Sequence, residues 1–151
     1  MEDVLVRQAT LLDLADLGPL FDQYRQFQGQ ATDPAAAKDF LGARLERDES
    51  TVFIAHHQGR PAGFAQLYPT FSSVSLKRVW ILNDLFVSQA GRRQGIATRL
   101  LAAIEEHARS LGAARLTLNV ARLNTSAQAL YEARGWKRDD QFFMYHHYPK
   151  G

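Results

Sequence analysis

The sequence predicts an α/β protein, a central mixed β-sheet flanked by about four helices. Two observations carry this. Strand and helix periodicities follow one another in the order β-α-α-β-β-β-α-β-α-β-β. The longest apolar strand run, Leu76 to Val87, also feeds a basic glycine turn, Arg92-Arg93-Gln94-Gly95-Ile96-Ala97, that opens a helix. A chain of 151 residues with 46% apolar content and no repeat or linker is expected to form a single domain, residues 1–151.

The elements can be justified in order. Val4 to Val6 reads as a first strand. Thr10 is a fitting N-cap, with Asp13 in the capping-box position. Leu11, Leu14, Leu17, Leu20, Phe21 and Tyr24 keep helical spacing, and Pro19 is expected to kink or split that helix. Arg25 to Ala31 is polar and reads as loop. Asp33-Pro34 starts a second helix as N-cap and N1, ending near Asp48. Thr51–His57 and Ala62–Tyr68 form a hairpin about the Gln58-Gly59 turn, and Pro69 to Ser75 reads as a small-residue loop. After the glycine turn, Ile96, Leu100, Leu101, Ile104 and Ala108 bury one helical face, and Gly112 closes the helix. Arg115 to Val120 alternates as a strand. Asn124 or Thr125 starts a short helix that Gly135 ends. Trp136–Arg138 and Gln141–His147 read as two last strands.

Composition excludes several classes. A net charge of +2, with arginines spread along the chain, is too small by itself to argue for nucleic acid, and no nucleic-acid partner is expected. No cysteine is present, so disulfides, thiolate metal sites and a cysteine nucleophile are excluded. The first residues lack a basic stretch followed by a long apolar one, so no signal peptide is expected and the cytoplasm is the expected location. No apolar run approaches the roughly 20 residues of a membrane span, so no membrane partner is expected. The adjacent pairs His56-His57 and His146-His147 alternate across a strand, which suits solvated strand ends better than a metal site; no metal is expected.

The glycine turn is the most informative stretch. A helix start leaves backbone N–H groups unpaired, the macrodipole adds positive character, and Arg92, Arg93 and Arg99 add full charges. Gly95 and Ala97 let a ligand approach the main chain. The combination suits a pyrophosphate. A solvated helix start is the plainer alternative.

This turn, with the strand Leu85-Phe86-Val87 before it, resembles the GCN5-related N-acetyltransferase (GNAT) family, whose pattern is Arg/Gln-x-x-Gly-x-Gly/Ala. Asn124, then Tyr131, then Gly135-Trp136 match a second family feature in the right order and spacing. The runs Gln66 to Ser73 and Trp80 to Val87 look like the Hpa2-type acetyltransferases, which are linked to histones and polyamines. The resemblance implies the acyl-CoA N-acyltransferase fold and acetyl-CoA as co-substrate. It implies that Leu85, Phe86 and Val87 bind the pantetheine arm by main chain, and that the Val87 N–H is an oxyanion donor. Arg92, Arg93, Gln94, Gly95, Ile96, Ala97 and Thr98 would bind the pyrophosphate. Asn124 would meet the pantetheine, or simply cap its helix. Ser126, Gln128 and Arg134 would line the adenine or phosphate end. Tyr131 would touch the cofactor as general acid, a phenol with a pKa of about 10 being protonated at neutral pH.

Asn83-Asp84 interrupts the apolar run Trp80 to Val87. Asp84 either accepts the amine proton or holds a cationic substrate, or it faces solvent from a half-exposed strand. Tyr24, Phe27, Tyr68 and Asn83 are candidates for the acceptor mouth, and the three aromatics serve a core equally well. Without a thiol or a defensible Ser-His-Asp set, the expected chemistry is direct attack by a primary amine within a ternary complex, where positioning supplies much of the rate. A small amine or polyamine is favoured. The alternatives are a protein or histone lysine acceptor, a non-catalytic acyl-CoA sensor, and a simple nucleotide binder. Phe142 to Tyr145 suits a homodimer edge or a core strand equally.

Overall fold

The computed structural model describes residues 3–150. It divides into two compact units, residues 1–119 and 120–151. The first unit carries strands β1 (Val4–Gln8), β2 (Thr51–His57), β3 (Arg60–Ser72), β4 (Lys77–Val87) and β5 (Arg115–Thr117), and helices α1 (Leu14–Phe27), α2 (Pro34–Glu46) and α3 (Ile96–Ser110). The second carries α4 (Thr125–Ala133).

The sheet order is β1-β2-β3-β4-β5, antiparallel up to β4, with β5 parallel to β4. Alternation along β2 sorts the two faces. Val52 and Ile54 join Leu17, Leu20, Phe21, Ala37, Leu41, Phe64 and Phe86 in one cluster under α1 and α2. Phe53 points the other way and meets His107 of α3, ring centroids 5.4 Å apart. The apolar stripe of α3, Ile96 through Ala108, is buried as its spacing predicts.

Local signals in the first unit hold. Thr10 and Asp13 form a reciprocal capping box on a short 3₁₀ turn, and Asp33 caps α2 with Pro34 in its first turn. Gly112 takes the left-handed conformation just past α3.

Four expectations are corrected. Pro19 does not split α1, which runs unbroken to Phe27 and absorbs the first residues of the expected 25–31 loop. Gly18 precedes the proline and has no Cβ to clash with its ring, and Ala15, whose carbonyl loses a donor, is exposed to water. β3 runs on to Ser72 through the expected Pro69–Ser75 loop. Its pairing with β2 stops at Leu67, so Pro69 sits where β3 is an edge and its missing N–H breaks no ladder on that side. β5 ends at Thr117, short of Val120. Finally, residues 136–150 carry no helix or strand among the described residues, so the two last strands are not formed there. Alternation prepares a strand, but ladder hydrogen bonds to a neighbour make one.

Asp22 of α1 locks the α1–α2 connection. It is buried and accepts from Gln26 Nε2 at 3.0 Å, Thr32 Oγ1 at 2.7 Å and the Asp33 N–H at 2.7 Å. The Asp33 and Thr32 donors hold its carboxyl below its ordinary value of 3.8. A depressed carboxylate stabilises fully above the unfolded value, and that stability is lost as pH falls through the folded one. Asp22→Ala should therefore lower the Tm at neutral pH by roughly 2–4 °C. Thermal melts should show the gap to wild type closing as the solution is made acid.

Candidate functional site

β4 builds the site because its two ends behave differently. Its pairing with β5 covers Val79 to Ile81 only, so from Leu82 onward β4 has no neighbour on that side among the described pairs. The Ser88 N–H donates to the Ala62 carbonyl at 2.8 Å, toward β3. Backbone groups alternate along a strand. The N–H groups of Val87 and Leu85 therefore face the open side, away from β3. The Val87 carbonyl takes a long contact there from Arg92 Nε, at 3.4 Å.

The second feature is a bulge. Gln66 pairs with Asp84 and Leu67 with Leu82, leaving Asn83 as the extra residue. Trp80 and Phe86 are an even number of positions apart and would share a face in a regular strand. Here Trp80 meets His107 of α3, whereas Phe86 meets Tyr24 and Phe27 of α1. The bulge flips the alternation and sends Asp84 to the α1 face with Phe86.

Beyond Val87 the chain turns through Gln89–Gly91 into the basic loop, with Arg93 at φ 65° and Gly95 at φ 73°. The left-handed Gly95 is the N-cap of α3 and provides no side-chain bond to the first-turn N–H groups. A Cβ built on Gly95 would meet nothing within 4 Å, so the space in front of these amides is open. Val87, Gly91, Arg92, Arg93, Gly95, Ile96, Ala97 and Thr98 line a cleft of about 160 Å³. Unpaired amides, the helix dipole and two arginines fit a diphosphate. The Ile96 side chain is buried, so only its main chain can serve the cleft. Gln94 is exposed beside the cleft and does not line it. Arg99, grouped with the loop arginines from the sequence, has a different engagement: its Nη2 donates to the Val4 carbonyl of β1 at 3.0 Å.

Around Asp84 a second cluster forms. Asp84 is 5% exposed. It accepts from Gln66 Nε2 at 2.7 Å, Asn83 Nδ2 at 3.1 Å and the Tyr24 hydroxyl. Burial nevertheless wins and raises its carboxyl above the ordinary value. Among the described residues, the groups that shift it besides burial are the neutral Gln66, Tyr24 and Asn83. Burial, with the Asp84 charge adding to it, pushes the Tyr68 phenol up to about 12. Tyr24, Tyr68, Asn83 and Asp84 are thus brought together, while Phe27 lies beside Phe86 and under Arg92, 5.6 Å from its guanidinium. Phe86 itself is buried, so its share of the site is main chain. Gln66 escaped the sequence reading. The available signal was a lone amide in the apolar strand Ala62 to Leu67.

In the second unit, Asn124 Oδ1 caps α4 by accepting from the Ala127 N–H at 3.2 Å and also takes the Ser126 hydroxyl at 3.3 Å. Gln128 Nε2 donates to the carbonyls of Ala121 and Arg122. The Tyr131 ring lies 5.9 Å from that of Trp136, and the Trp136 N–H returns to the Tyr131 carbonyl past the left-handed Gly135. Burial raises the Tyr131 phenol above its ordinary value, which keeps it protonated at neutral pH. Arg134 is the C-cap of the same helix.

Comparison with known proteins places this architecture. An uncharacterized N-acetyltransferase, YhfO, of Bacillus subtilis is 49% identical over 140 residues, covering 93% of this chain and 94% of its own. A crystal structure of a probable acetyltransferase superposes with a TM-score of 0.92 at 42% identity, covering 97% of this chain and 99% of that one. An aminoglycoside N-acetyltransferase, AAC(6')-Iy, solved in complex with CoA, shares the fold at 22% identity and a TM-score of 0.79, covering 97% and 96%. Residues 16–136 match the acetyltransferase (GNAT) family, and the chain belongs to it.

Proposed function

We propose that the protein is a single-domain cytoplasmic enzyme that transfers the acetyl group of acetyl-CoA to a primary amine, a small amine or polyamine ahead of a protein lysine. One observation carries the reading: β4 presents an anion-seeking cleft at its carboxyl end and, three positions before Val87, a buried carboxylate with no cation among the groups acting on it. A buried charge needs a partner, and a protonated amine supplies one. The family membership supports acetyl-CoA as the donor, as does the CoA held by AAC(6')-Iy.

Acetyl-CoA supplies the thioester carbon that the amine attacks. The α3 amides with Arg92 and Arg93 hold the diphosphate, with Gln94 at the rim. The open edge of β4 at Leu85, Phe86 and Val87 aligns the pantetheine arm, and Asn124, Ser126 and Arg134 serve the cofactor from α4. The Val87 N–H is the donor for the carbonyl oxygen as charge develops, a role typically worth ~3 kcal/mol. Asp84 binds the ammonium within Tyr24, Phe27, Tyr68 and Asn83. Its raised pKa brings it nearer to the amine's and improves it as proton acceptor. Tyr131 gives its phenolic proton to the leaving thiolate, a role supported by the family pattern.

The direct test is thiol release from acetyl-CoA with spermidine, diamines, amino acids, aminoglycosides and a histone-tail peptide. Turnover by the small amines is expected. CoA binding without turnover on any of them would favour a sensor.

Three variants probe the parts. Gly95→Val should weaken CoA binding about tenfold or more by calorimetry, because a β-branched residue strains the left-handed conformation, φ 73°, that sets up the first turn of α3. Asp84→Asn should lower kcat/KM for the amine by roughly 10²–10⁴ and remove the acid limb of its pH profile, since the ionised form is the working one. Tyr131→Phe should lower kcat by about 10²-fold and leave the KM for acetyl-CoA unchanged.

A further inference from the structure

Gln66 stands directly across from Asp84 on β3 and is fully buried. Its Nε2 donates to Asp84 Oδ2 at 2.7 Å, while its Oε1 is buried with no hydrogen-bond partner among the described residues. A sheet interior gains nothing from such a residue. Its neighbours Ala65 and Leu67 fill the same strand without a polar atom to satisfy. The orphan oxygen is a standing cost, so the amide must be retained for what its nitrogen does.

The groups facing Asp84 come from three elements. Gln66 and Tyr68 are on β3, Asn83 is on β4 and Tyr24 is on α1; Arg44 of α2 acts on Tyr68 rather than on Asp84. Asn83 is exposed and Tyr24 half-buried, so Gln66 is the donor held most firmly by packing. All the donors are neutral. An arginine in this position would satisfy the carboxylate outright and close it to an incoming cation. A glutamine steadies the charge and leaves it open for one.

We infer that Gln66 is a positioning residue, whose amide aims the Asp84 carboxylate and keeps it ionised for the acceptor amine. This rests on the role given to Asp84 above.

The test is the pH dependence of kcat/KM, read by thiol release with spermidine or whichever amine of the screen turns over fastest. Wild type is compared with Gln66→Leu, Gln66→Glu and Asp84→Asn, with melting curves and the KM for acetyl-CoA alongside. Removing the donor destabilises the ionised carboxyl, so Gln66→Leu should move the acid limb up by about one pH unit. Gln66→Glu, which has the same shape, should move it further by placing a second carboxyl beside the first. The KM for acetyl-CoA should stay within twofold or so in both, and Gln66→Glu gives the reading should the leucine variant fail to fold. An acid limb unmoved by Gln66 substitution but lost in Asp84→Asn overturns the inference and leaves Asp84 in place. An acid limb that survives in Asp84→Asn overturns the role of Asp84 and this inference with it.

Discussion

One extra residue in one strand governs this molecule. The pairing of β3 with β4 slips at Asn83, and everything after it faces the opposite way. Before the slip, Trp80 packs toward α3; after it, Phe86 packs toward α1. A sheet with helices on both faces normally divides a strand's side chains evenly between two cores. The bulge lets β4 change allegiance midway. It delivers Asp84 to the α1 face, beside Tyr24 and Gln66, instead of to the α3 face that Trp80 takes.

The strand then leaves β5 behind. A strand with one neighbour has a row of unsatisfied amides, which most proteins cover. Here the row continues into the open first turn of α3, where Gly95 contributes no capping side chain. Backbone donors and two arginines gather at the carboxyl end of β4, while a few residues earlier lies a buried carboxylate whose donors, among the described residues, are neutral. The strand is thus electrostatically graded, with amide donors and arginines at one end and a buried carboxylate in the middle; the proposed function assigns the first to an anion and the second to a cation. A thioester coenzyme with a diphosphate and an amine with a positive charge are the two ligands such a gradient would sort.

The basic turn and the helix after it were legible because they are written locally. Arg92 through Ala97 state their loop conformation in consecutive residues, and the apolar stripe from Ile96 states the helix. The caps at Thr10, Asp33 and Asn124 were legible for the same reason, each being a side chain bonded to a backbone group within three residues. Gln66 was not legible, because its meaning depends on a partner in another strand and on register. The bulge was hidden too: the run Trp80 to Val87 reads as an apolar strand interrupted by two polar residues, and nothing in it marks Asn83 as the one that steps aside. Pro19 misled in the opposite sense, since the rule it invokes is local and the relief supplied by Gly18 and an exposed carbonyl is contextual. The two last strands, read from alternation alone, are not formed among the described residues.

The bond from Arg99 to the Val4 carbonyl has a kinetic consequence. It joins residues 95 positions apart, tying the second turn of α3 to the first strand of the sheet. Loop-closure entropy makes such a contact among the last to be worth forming. During synthesis the amino-terminal strand therefore waits for most of its unit to emerge before that clamp can close. A chain that has not yet extended past Arg99 leaves the Val4 carbonyl without this donor.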